Sequence, residues 1–143
     1  MSKLTKYGLL TISLNLLIIV GMGHGAIFFV FIEYFAVENI FTNAQKFSIL
    51  GSHEERLPLS GLISLIGQII LAVSLLLKNA TIKIFSIYLS IIILLFSFVI
   101  LVSGISVESI DGFTFLTGIP FIIAIVLLTV SNIKLHKQLS ITK

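Results

Sequence analysis

The first apolar run, YGLLTISLNLLIIVGMGHGAIFFVFIEYF (Tyr7–Phe35), holds no acidic residue, lysine or arginine before Glu33. A transmembrane helix needs about 20 mostly apolar residues, so this run predicts one long enough to tilt or to project from a bilayer. Three further runs, about 60–77, 84–103 and 113–131, predict three more helices. An open strand in lipid would leave backbone groups unpaired, and no alternating pattern of short strands suggests a barrel. The expected fold is therefore all-α: an integral membrane bundle of four transmembrane helices, forming a single domain over 1–143.

Charge fixes the orientation. Lys3, Lys6, Lys78, Lys83, Lys134, Lys137 and Lys143 fall on one side of this four-helix path. Only Lys46 and Arg56 fall on the other, together with Glu38, Glu54 and Glu55. Cytoplasmic loops carry the excess of lysine and arginine, so the N-terminus and C-terminus are both expected to be cytoplasmic. Composition agrees: 57% of residues are hydrophobic and 10% charged, against about 25% charged in a soluble domain. The mean hydropathy is +1.20. The net charge of +3 is read as lysines anchoring helix ends at anionic headgroups, so the lipid bilayer is the expected partner and nucleic acid is not. With no cysteine, disulfides, thiolate metal sites and iron–sulfur ligation are excluded. The lysines and apolar start imitate a signal peptide, but the run outlasts an h-region of about 7–15 residues and reads as a retained helix.

The connections differ in length. Residues 36–59 form an outer loop mixing aromatic and polar residues, part of which is expected to lie in the interface as a turn or short helix. Pro58 is expected to introduce the second helix. Asn79-Ala80-Thr81 matches a glycosylation sequon, but its cytoplasmic position argues against use.

Within the first run, Gly21 and Gly25 make a small-xxx-small pair suited to close helix packing, and His24 lies beside them. An ionisable group inside a membrane is a functional candidate by default. Counting ~1.5 Å per residue, His24, Gln68, Ser97 and Thr117 fall at one level, predicting an intramembrane polar layer. On a continuous helix, His24 would face away from both Glu33 and Asn15, nine residues off in each direction. Ser86, Ser90, Ser97 and Gly104 recur at spacings of four and seven and read as a packing seam. In the outer loop, His53 and Glu54 are competent but weak metal-ligand candidates, without the spacing of a metalloprotease motif.

The chain resembles small four-helix drug exporters in size and helix count. It departs from them in lacking an acid midway along its first helix, since Glu33 lies near the end of that run. It also resembles small bacterial four-helix DoxX-like membrane proteins, with glycine and histidine late in the first helix. That resemblance covers architecture and carries over no site residue. The expected location is a bacterial inner (plasma) membrane. The expected function is non-enzymatic and cofactor-free: an accessory or interaction subunit, or a small-molecule-binding helical bundle, with a homo-oligomer or a membrane protein as its partner. One alternative is an oligomeric transporter or channel, whose mark would be Asn15, Gln68 and Glu33 on one accessible path. A second is a membrane redox or metal-dependent enzyme subunit using His24 with His53 or Glu54.

Overall fold

A computed structural model describes residues 2–22, 25–42, 47–49, 52–103 and 110–141. Five helices and one short hairpin follow in the order α1 (Lys3–Leu16), β1 (Ile19–Met22), β2 (Gly25–Phe28), α2 (Phe29–Thr42), α3 (His53–Leu76), α4 (Ala80–Leu101) and α5 (Ile110–Ile141). Three helices, α3, α4 and α5, are long and apolar enough to cross a membrane. The expectation of four such helices is corrected, because the run Tyr7–Phe35 is not one helix.

Its centre is an antiparallel hairpin pairing Ile19 with Phe28, Val20 with Ile27, Gly21 with Ala26 and Met22 with Gly25. A bond from the Phe29 amide to the Ile18 carbonyl (2.8 Å) extends the ladder by one step. The local sequence explains the break. Ile18-Ile19-Val20 is β-branched and suits a strand. The glycines that follow each cost about 1 kcal/mol relative to alanine inside a helix. Strand geometry also removes the basis of the small-xxx-small reading, since Gly21 and Gly25 sit on opposing strands rather than on one helical face.

The helix ends have local causes. Ser52 and Glu55 start α3 before Pro58, with the Ser52 amide bonding Glu55 Oε2 at 3.0 Å. This serine-x-x-glutamate start is a capping box, and it places Pro58 inside the helix. Asn79 caps α4 by accepting from the Thr81 and Ile82 amides (3.0 and 3.2 Å), so the sequon asparagine is a helix cap. The outer loop is helical through Thr42 as the end of α2. Gly104, Lys46 and Lys143 lie outside the described residues.

Cross-contacts set the helix directions. Gly8 abuts Leu75, and Asn15 bonds Ser64, so α1 and α3 run antiparallel. Ser97 Oγ donates to the Ser60 carbonyl at 2.8 Å, and Gly67 admits Leu94, fixing α3 against α4. Gly118 receives the Phe98 ring, and Asn132 donates to the Ile84 carbonyl (3.2 Å), fixing α4 against α5. Lys3, Lys6, Lys78, Lys83, Lys134 and Lys137 therefore share one end of the bundle, the lysine end. His53, Arg56, Ser103 and Asp111 share the other, the loop end.

Beside an apolar core, several polar side chains are buried and many large apolar ones are exposed. Glu33, Arg56, Gln68, Asp111 and Asn132 are buried, while Leu76, Phe85, Ile92, Val99 and Leu116 are exposed. Polar residues bury rarely unless paired. Apolar exposure spread over three long helices expects an apolar surrounding.

Candidate functional site

A two-stranded hairpin leaves an unpaired edge on each strand, and a backbone group buried without a partner costs free energy comparable to a lost hydrogen bond. Side chains of other elements occupy the outer edge of β1. Thr117 Oγ1 donates to the Ile19 carbonyl at 2.7 Å. The Gly21 amide donates to Thr114 Oγ1 at 3.2 Å, and His53 Nε2 meets the Gly21 carbonyl at 2.8 Å. Two threonines one turn apart on α5 and the first residue of α3 thus stitch the strand into the bundle.

At the loop end, His53 also anchors an ionic cluster. Its Nδ1 faces Asp111 Oδ1, and neither atom has another partner among the described residues. A carbonyl thus faces one ring nitrogen and a carboxylate oxygen the other. Asp111 Oδ2 accepts from Arg56 Nη2 at 3.0 Å. Arg56 Nη1 donates to the Ile100 carbonyl and Ser103 Oγ (2.9 and 2.5 Å). Buried charges need this degree of pairing, because a single unpaired one is strongly destabilising.

Deeper in the bundle, below the hairpin, lies a second polar group, in which no cation takes part among the described residues. Asn15 at the end of α1 donates from Nδ2 to Ser64 Oγ on α3 at 2.5 Å. Gln68, one turn further along α3, donates from Nε2 to Glu33 Oε1 at 2.7 Å and lies 3.4 Å from Ser64 Oγ. Ser64 Oγ lies beside the Glu33 carboxyl. The four residues are 2%, 0%, 6% and 3% exposed for Asn15, Ser64, Gln68 and Glu33 respectively. Gly61 lets α2 come this close: a Cβ there would meet the Ile32 carbonyl at 3.1 Å and Ala36 Cβ at 3.2 Å.

The residues expected at one level thus take separate partners. Gln68 joins the network, Ser97 bonds α3 backbone, Thr117 holds β1, and His24 lies outside the described residues. Ser90 is buried and donates to its own helix at the Ile87 carbonyl, while Ser86 is half-buried. His53 spends its ring nitrogens on Gly21 and Asp111, and Glu54 is exposed. No group of three histidine or acidic side chains that could hold a metal occurs among the described residues.

The helical-phase argument that set His24 opposite both Glu33 and Asn15 lapses once the run is not one continuous helix. The break returns Glu33 from the end of a helix to the middle of the bundle beside Gln68. Sequence reasoning missed Ser64, Asp111 and Thr114, and read Arg56 only as a charge of the outer side. A signal existed for Arg56 and Asp111: each is a charged residue adjoining an apolar run, positioned to be buried.

The chain matches no known protein family, curated protein or solved structure. The functional reading therefore rests on the site.

Proposed function

We propose that the chain is a multi-pass plasma-membrane protein of non-enzymatic type, which binds a small polar molecule or ion at the break in its first segment. The observation behind this reading is the Asn15–Ser64–Gln68–Glu33 network, placed where α1 gives way to strand. Non-helical backbone is tolerated at membrane depth only where protein buries it or where it lines a cavity. Discontinuous helices in transporters mark such sites.

In this reading the chain crosses the bilayer four times with both ends cytoplasmic. α1 alone, at 14 residues, reaches only ~21 Å. The four residues of β1 add ~13 Å, and the composite covers a hydrocarbon core of about 30 Å. α2 then leaves from mid-depth toward the loop end. Transport by an oligomer is the second reading, favoured by the same break. A metal or redox role for His53 gains no support, because its ring nitrogens hold the hairpin and Asp111.

The cysteine-free sequence permits a direct test in vesicles. Single cysteines at Ser60 and Ser64 are expected to react with a small water-soluble methanethiosulfonate, while a cysteine at exposed Ile92 faces lipid and stays unmodified. Unreactive cysteines at both serines would mean that no water-borne ligand reaches the network, leaving a bundle that only packs.

A further inference from the structure

We infer that Glu33 is a reversible proton-binding site, the proton being the ligand that this network takes. The inference rests on the reading of the bundle as membrane-embedded. Glu33 is buried in the fold, and among the described residues the groups facing it are uncharged: Gln68 and Ser64 from α3, with Asn15 of α1 behind Ser64. Among the described residues both ion pairs belong to Asp111. Arg56 is twelve residues from Gln68 along α3, about 18 Å at the helical rise, and its guanidinium is committed at the loop end. A buried carboxylate without a counter-charge beside it is costly, and protonation relieves that cost.

The partners suit both states. Gln68 Nε2 donates to Oε1 at 2.7 Å whether the carboxyl is protonated or not, and the Ser64 hydroxyl, both donor and acceptor, lies beside it. Asn15 Nδ2 fixes Ser64 Oγ in either case. The step is simple: the O–H bond of the acid breaks, its electron pair stays on the carboxylate, and the proton passes to water.

A metal cation fits the arrangement less well. The amide groups of Asn15 and Gln68 present N–H donors to the network, whereas a hard cation asks for oxygen ligands.

The test uses dicyclohexylcarbodiimide, an apolar reagent that attacks protonated carboxyls, on the full chain in vesicles, with the adduct located by mass spectrometry. Glu33 is expected to be labelled, and the labelling to fall along a one-proton curve as pH rises. Glu33→Gln should lose the label. Gln68→Ala, checked for retained helicity, should keep the label with a moved midpoint, which a purely structural glutamate would not show. No labelling of Glu33 at any pH, labelling indifferent to pH, or protection by sodium ion in place of protons would each overturn the proposal. Labelling with unreactive Ser60 and Ser64 cysteines would instead uphold the proton site and sink the water-borne ligand.

Discussion

The α3–α4 pair and the segment from α1 to α2 are built from apolar sequence of similar character, yet they satisfy their backbones in opposite ways. Each of α3 and α4 carries its own hydrogen bonds, so its side chains are free to pack: Gly67 against Leu94, and Ser97 onto the Ser60 carbonyl. The hairpin between α1 and α2 leaves backbone groups on the edge of β1, and Thr114, Thr117 and His53 are spent on them. Where a helix is self-sufficient, its polar residues mark packing seams. Where the helix breaks, polar residues on other elements become backbone partners, and the chain gains an interior large enough in chemical variety to hold a carboxyl.

The largest expected effect lies in the cluster that fastens the broken segment. Asp111→Ala strands Arg56 and removes the second partner of His53, costing about 3–5 kcal/mol in denaturant unfolding of the detergent-purified protein. A loss below about 1 kcal/mol, the range of exposed pairs, would mean that water reaches the cluster and that the hairpin is held by its threonines alone.

Next comes the edge of β1 itself. Thr114→Val leaves the Gly21 amide without its acceptor, at about 1–3 kcal/mol. Hydrogen exchange should quicken at Gly21 while the mid-α4 amides stay protected. Equal quickening in both regions would dissolve the distinction between them.

At the α4–α5 contact, Gly118→Ala drives a Cβ into the Phe98 ring, which itself packs on Phe115 and Phe121 at 6.3 and 5.7 Å between centroids. Overpacking of this kind costs about 1–3 kcal/mol and should leave exchange at Gly21 unchanged. The smallest effect belongs to the exposed face of α4: Ile92→Ala should stay within about 0.5 kcal/mol, measured by the same unfolding assay.

How far the sequence could carry this account depends on the signal each part left. α3, α4 and α5 were legible because long apolar runs between short charged breaks admit few alternatives. The early start of α3 is written in Ser52-His53-Glu54-Glu55, a capping signature that lies ahead of Pro58. The hairpin was harder, since an apolar run reads alike as buried helix or strand, and the β-branched Ile18-Ile19-Val20 before the glycines was its only local sign. Asn15, Gln68 and Glu33 were visible as polar residues in apolar surroundings. Their meeting was not, because it exists only once the chain folds back between Ile19 and Phe28.

That fold-back is the central claim, and a cysteine pair tests it most directly. In the cysteine-free chain, Ile19→Cys with Phe28→Cys places two thiols at paired positions of the hairpin. Paired strands hold such Cα atoms about 4.5–5.5 Å apart, within the range a disulfide spans. The account predicts rapid oxidation to an intramolecular disulfide, without dimer formation and without loss of helicity. On a continuous helix the same residues would be ~13.5 Å apart, and thiols that remain free under oxidation would contradict the hairpin and everything built upon it.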